Sequence, residues 1–390
     1  EMAEQLREKV GDYRGTNVVC RRGRAIVTKD LELVNINAAR SVIVLSPEDR
    51  RDPDSQIIKI LLTAAKITKG RSIPLPFVVE IVDRRNQEIC KIAANNEALE
   101  VITILPEILI PRLLIQSCRK RGLSSVYLEL FDFDGDEIYF HPIEEFPSLI
   151  GKTFGEAMLA FDDSSIIGFV SATGEVLINP PQDSILKANC EILCISEDDD
   201  TTELSKITDF RIDESAIVDT THSSEQKPEG NLILGGNRFL PPVIRELDDY
   251  VPPGSKLLLA AEVEEEELID CKRRAGLKNH QLEFIKGDTG DRRFLETLPF
   301  AEFDNILILP HNPKESEDYE AVDATTIKTL VYVRDIAKKK GFELSLTTEM
   351  LLEESRSVAD VGELGDFVVG DEIIGRIIAQ LAEEHRLRAV

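Results

Sequence analysis

Apolar runs of four to six residues, such as SVIVL at Ser41, KLLLAA at Lys256 and NILIL at Asn305, alternate with longer stretches whose apolar positions recur at helical spacing. That alternation predicts parallel strands joined by crossover helices, an α/β fold. In the first part of the chain the predicted strands are Asn17 to Cys20, Val42 to Leu45, Phe77 to Val82 and Val101 to Ile104. In the second they are Leu232 to Leu234, Leu257 to Ala260, Leu282 to Ile285, Ile306 to Leu309, Phe342 to Leu346 and Phe367 to Val369. Two helical segments, EILIPRLLIQSC from Glu107 and EIIGRIIAQLAE from Glu372, are apolar over most of their circumference and call for burial on more than one side. A crossover helix packed into a partner domain satisfies that demand, and Pro111 and Gly375 interrupt the two helices at nearly matching positions.

The pattern repeats at an offset of roughly 265 residues. LELVNINAARSVIVL from Leu31 lies over LETLPFAEFDNILIL from Leu295, placing Val34 on Leu298, Ile36 on Phe300, Val42 on Ile306 and Val44 on Ile308. VITILPEILIPRLLIQSC from Val101 then lies over FVVGDEIIGRIIAQLAEE from Phe367. Two matches in one order imply duplicated Rossmann-like, doubly wound sheets. In the second copy NLILGGNRF and KLLLAA open the fold, and their counterparts would precede residue 1, so the first copy is expected to lack its opening β-α-β. Between the copies the texture changes to short strands with turns, marked by Gly174 and the Pro180–Pro181 pair, which predicts a small α+β lobe. The expected division is 1–124 for the first Rossmann-like lobe with its crossover helix and 125–200 for the small lobe. A Ser-, Thr- and acid-rich linker follows at 201–229, and 230–390 forms the second Rossmann-like lobe with its crossover helix.

The 390 residues carry 46 Lys and Arg against 72 Asp and Glu, a formal net charge of -26, which repels phosphate backbones and excludes nucleic acid as a partner. Six cysteines in apolar contexts, without a CxxC pair, read as buried thiols of a reducing compartment. No Ser-His-Asp set, P-loop or acid-base carboxylate pair stands out, and no catalytic activity is expected.

Two stretches carry candidate chemistry. LILGGNRF is a strand entering a glycine turn before a helix, where doubly wound folds seat phosphate on helix amides. Gly235 and Gly236 form the turn, but Asn237 replaces the second glycine of the fingerprint. Glu262 near the end of the next strand could bond a ribose, and Asp288 in KGDTGD sits at the carboxyl edge of the sheet. These five positions are the candidate nucleotide site, for an NAD-like ligand. FDFDGDEIYF supplies Asp132, Asp134, Asp136 and Glu137, alternating carboxylates around a glycine that could converge on Ca2+, although the spacing is not that of an EF-hand.

The wording VVCRRG at Val18, ARSVIVLS at Ala39, GKTFGEA, INPP, LILGGNRFLPPVIREL, FDNILIL, VYVRDI, LTTEML and DFVVGDEI resembles the CASTOR/POLLUX family of ion channels and its tandem regulator-of-potassium-conductance (RCK) domains. The resemblance implies a gating-ring region that couples ligand binding to opening of a cation pore, with Ca2+ as a regulator. It further implies a homotetramer, a covalent transmembrane pore upstream of residue 1, and a membrane location for the full-length protein with this region on a cytosol-like side. A peripheral nucleotide-binding subunit of a potassium uptake system and an NAD-dependent oxidoreductase are the alternatives. A hydrophobic span upstream would mark the channel, and tight NADH binding the oxidoreductase.

Overall fold

A computed structural model describes residues 15–47, 51–94, 98–207, 213–216, 227–312, 318–343, 345–359 and 366–390, with a few isolated positions before 15. The chain divides into two compact units, Glu1–Leu105 with Leu381–His385, and Pro106–Gln380 with Arg386–Val390. The division falls at Leu105, ahead of the helix that the sequence assigned to the first lobe, and the small lobe shares a unit with the second sheet. Most of the expected linker at 201–229 lies outside the described residues.

The first unit runs α1 (Thr28–Leu33), β1 (Val42–Val44), α2 (Pro53–Ile67), β2 (Leu75–Glu80), α3 (Asn86–Ala94) and β3 (Leu99–Ile104). Its strands form a parallel sheet in the order β1-β2-β3. β2 is the central strand and is buried on both faces, with Leu75, Phe77, Val78 and Val79 fully enclosed. The expected strand at Asn17 to Cys20 is not formed; the segment has no regular structure, and Val18 and Val19 are exposed. Its repeat partner lies in an outer strand of the second sheet that is fully paired along one side, and a strand without a neighbour to bond has nothing to hold it extended.

The second unit begins with α4 (Pro106–Arg119) and α5 (Leu123–Leu130). The small lobe follows: β4 (Glu137–Pro142), α6 (Phe154–Met158), β5 (Ser165–Val170), β6 (Val176–Ile178) and β7 (Glu191–Ser196), an antiparallel sheet in the order β4-β7-β5-β6. Phe146, Phe154, Phe161 and Phe169 fill its core, and Thr153 and Glu156 close a reciprocal capping box at the start of α6.

The remainder is β8 (Gly230–Leu234), α7 (Leu240–Asp249), β9 (Ser255–Ala261), α8 (Glu265–Ala275), β10 (His280–Lys286), α9 (Arg292–Glu296), β11 (Asn305–Ile308), α10 (Tyr319–Lys340), β12 (Ser345–Met350), α11 (Glu353–Ala359), β13 (Asp366–Val369) and α12 (Gly370–Glu383). Its parallel strands run β10-β9-β8-β11-β12-β13, the doubly wound order, with the reversal between β8 and β11. The strand expected at Phe342 to Leu346 starts later, at Ser345, and runs through polar Thr347, Thr348 and Glu349, all buried.

The duplication is visible in detail. β1-β2-β3 repeats as β11-β12-β13, and a short 3-10 turn that opens on buried Ile36 repeats as one that opens on buried Phe300. In α2, buried Asp54 accepts the backbone N–H groups of Val82 and Asp83 at 2.9 Å each. In α10, buried Asp323 accepts those of Leu351 and Leu352 at the same 2.9 Å, one constant offset further on. Each aspartate ties a helix start to the end of the strand that follows it.

α4 leaves β3 and packs against α7 and the β11–β13 side of the second sheet. Ile110, Leu114, Ile115 and Cys118 are buried there, Ser345 donates to the Cys118 carbonyl at 3.1 Å, and Arg112 pairs with Glu246 at 3.5 Å. This accounts for the broad apolar face of EILIPRLLIQSC: the helix is seated on a sheet other than the one whose last strand it extends.

Candidate functional site

The reversal between β8 and β11 places the glycine turn at the carboxyl edge of the second sheet. Gly235 has φ +83°, and a Cβ there would come 2.2 Å from the Leu309 carbonyl oxygen, so both the backbone conformation and the space demand glycine. Gly236, Asn237, Arg238, Leu240 and Pro241 line one wall of an open cleft of about 400 Å³. Glu266, Glu267, Asp270, Cys271 and Arg274 of α8 line the other, and Asn312 closes an end.

A pyrophosphate in such a turn needs free N–H groups at the helix start. From Arg238 onward they are used within the chain. Arg238 N–H donates to Asn312 Oδ1 at 2.9 Å and Phe239 N–H to Asn237 Oδ1 at 2.9 Å. Leu240 N–H donates to the Asn237 carbonyl at 3.0 Å, and Val243 N–H to Phe239 at 2.9 Å. Pro241 and Pro242 have no N–H to offer. Asn237 does more than fill the place of a glycine: its Nδ2 donates to Glu349 Oε2 at 2.8 Å, pinning the turn to the end of β12. Glu349 is buried, and burial pushes its carboxyl up to about 7 despite that hydrogen bond.

Gly235, Gly236 and Asn237 therefore stand together at the turn, whereas the other two nucleotide-site positions do not join them. Glu262 is exposed beyond β9 and does not line the cleft, whose carboxylates come from α8 instead. Asp288 follows β10, at the outer edge of the sheet, and accepts the Gly290 N–H at 2.7 Å, a turn-forming bond.

The four carboxylates of FDFDGDEIYF do not converge. Asp132 pairs with Arg376 of α12, whose other branch donates to Glu372 at 2.8 Å, and Arg356 stands 3.7 Å from the far oxygen of Glu372. Burial raises the Asp132 carboxyl, but the Arg376 hydrogen bond and neighbouring amides outweigh it and hold the group below its ordinary range. Glu137 accepts from Tyr139 Oη at 2.8 Å and Gln380 Nε2 at 3.3 Å. Asp134 and Asp136 are exposed in the turn between them. Among the described residues, the group of three or more carboxylates whose oxygens all lie within 4.8 Å of one another is Asp198, Asp199 and Asp200, all exposed at the end of the small lobe. They are consecutive in the sequence, which reads EDDD from Glu197.

Five of the six cysteines are buried as the sequence suggests, and Cys20 is half-buried. Cys90, Cys118, Cys190, Cys194 and Cys271 are buried and unbridged. Burial pushes Cys118 up to about 12 and Cys90 and Cys271 up to about 11.

A family model described as "Castor and Pollux, part of voltage-gated ion channel" matches residues 107–213. The chain is 28% identical over 425 residues to a probable ion channel POLLUX of Oryza sativa subsp. japonica, with 100% of the chain and 43% of that protein covered. It is 27% identical over 414 residues to the ion channel CASTOR of Lotus japonicus, covering 97% of the chain and 47% of that protein. The chain thus spans less than half the length of these curated relatives. The human SLO3 gating ring superimposes with a TM-score of 0.64 at 12% identity, over 94% of the chain and 74% of that structure, a likeness of fold. Among the described residues, no helix is long and apolar enough to cross a membrane.

Proposed function

From a chain related to the CASTOR and POLLUX ion channels and folded like a gating ring, we propose a regulatory region that couples ligand binding to the opening of a cation pore carried elsewhere in the full-length, membrane-located protein. The observation that carries this reading is α4. A helix that follows the last strand of the first sheet in the chain and seats on the second sheet is placed so that a change in its seat would be passed along the chain. Four such chains around a pore would form the ring, and Ca2+ is the proposed regulator.

Ca2+ acting through Asp132, Asp134, Asp136 and Glu137 would have to draw Asp132 from Arg376 and Glu137 from Gln380, so occupancy and the grip of α12 on this loop would compete. An NAD-like ligand at Gly235, Gly236 and Asn237 is the weaker regulator, because the amides of Arg238, Phe239, Leu240 and Val243 at the helix start are bonded within the chain and Pro241 and Pro242 have none. The same observation counts against the oxidoreductase.

The test is the solution mass of the chain by light scattering, with chelator and then with millimolar Ca2+. A Ca2+-dependent rise toward dimer or tetramer that Asp132→Asn with Glu137→Gln abolishes supports the proposal. An unchanged mass, with no Ca2+ binding by calorimetry, refutes Ca2+ at this loop.

A further inference from the structure

At the amino-terminal edge of the second sheet a chain of polar side chains, buried at His280, Asp248, Asn231 and Asn305 and half-buried at Glu229 and Arg119, runs from β10 to the last residue of α4. The His280 ring is enclosed, with its Nδ1 3.0 Å from Asp248 Oδ1. Asp248 also accepts the backbone N–H groups of Lys278 at 2.7 Å and His280 at 2.7 Å, so its oxygens face donors throughout and Nδ1 must carry the proton. His280 Nε2 stands 3.1 Å from Asn231 Nδ2. Asn231 Oδ1 is committed to Asn305 Nδ2 at 3.0 Å, which orients the Asn231 amide and makes Nε2 an acceptor. The imidazole is therefore the neutral Nδ1–H tautomer. Asn305 Nδ2 also donates to Glu229 Oε2 at 3.3 Å, and Glu229 Oε1 holds Arg119 at 2.5 Å. Arg119 ends α4 and lies over the Tyr250 ring at 5.6 Å.

Every link in this chain has one orientation. A proton placed on Nε2 would set N–H against the Asn231 NH2. Turning Asn231 would then face two NH2 groups across to Asn305. Turning Asn305 as well would put its carbonyl against the Glu229 carboxylate, removing a donor from the partner of Arg119. We propose that His280 is a proton-operated latch on the crossover helix: neutral, it keeps α4 seated through Asn231, Asn305, Glu229 and Arg119, and protonated, it loosens that seat. The latch needs only the second unit; its consequence for a pore rests on the function proposed above.

The charged groups around the latch are Asp248 on α7, Glu229 and Asp304 at the starts of β8 and β11, and Arg119 on α4. Burial holds the imidazole below its ordinary value against the pull of Asp248. A base whose proton is disfavoured in the seated state makes that state complete above the ordinary imidazole range and progressively weaker as pH falls below it.

Hydrogen–deuterium exchange of residues 106–119 in the 390-residue chain tests this at about pH 5 and about pH 7.5. After correction for intrinsic rates, the wild-type helix should exchange about tenfold faster at the lower pH. His280→Gln, which keeps one donor for Asp248 and one acceptor for Asn231, should leave α4 protected and indifferent to pH. Glu229→Gln should lower protection at both values, and His141→Gln, outside the chain of bonds, should keep the wild-type acid response. Equal protection at both pH values in the wild type, or an acid response that survives His280→Gln, overturns the latch. Should His280→Gln not fold, nitrogen NMR of the wild-type imidazole decides: an Nε2–H tautomer at neutral pH contradicts it.

Discussion

At the residue scale, the glycine turn is specified twice over. Gly235→Ala meets both a positive φ and the Leu309 carbonyl, and should cost about 2–4 kcal/mol in denaturant melts of the second unit. Gly375 in α12 has open space where a Cβ would sit, so Gly375→Ala should stabilise the helix by up to about 1 kcal/mol, read in the same experiment. Glu349 makes a pH prediction of definite sign. Its carboxyl is raised to about 7 by burial, so the folded state holds a proton that the unfolded chain releases near its ordinary range. The contribution of this carboxyl to stability is fullest below the ordinary carboxylate range and declines as pH rises toward 7, by roughly 3 kcal/mol in all. Glu349→Gln should flatten that decline in urea melts at several pH values; an unchanged slope would assign it elsewhere. The turn was legible in LILGGNRF because Gly–Gly after an apolar run has few other uses. What closes it was not: Asn312 and Glu349 lie far along the chain from Asn237, and no spacing rule joins them.

At the scale of elements, apolar runs disclosed the strands that are buried on both faces, and the repeat disclosed which elements correspond. β12 was misplaced because Thr347, Thr348 and Glu349 carry its buried positions, which no hydrophobic pattern shows. Asn17 to Cys20 failed in the opposite sense, since apolar composition suits a strand but pairing makes one. The apolar circumference of α4 correctly implied burial by a second partner. Its fit is close: a Cβ on Gly370 would stand 2.7 Å from Ile110 Cδ1. Gly370→Ala should displace that flexible methyl, cost about 1 kcal/mol and raise exchange in 106–119. Unaltered exchange there would show that the α4 seat does not depend on this contact.

At the scale of the whole molecule, a net charge of -26 argues against a nucleic-acid partner, and the duplicated α/β pattern framed two similar sheets. They could not reveal that the compact units divide at Leu105, because a boundary depends on which sheet a helix rests upon, a long-range choice. In the proposed function, α4 is the part through which a ligand would act. Cation currents of the full-length protein in planar bilayers, recorded with chelator and then with millimolar Ca2+ on the side bearing this region, test the gating role most directly. Open probability should change reversibly with Ca2+, and Asp132→Asn with Glu137→Gln should remove the response while leaving a current. A cation current indifferent to Ca2+, or no current from intact protein, would contradict it.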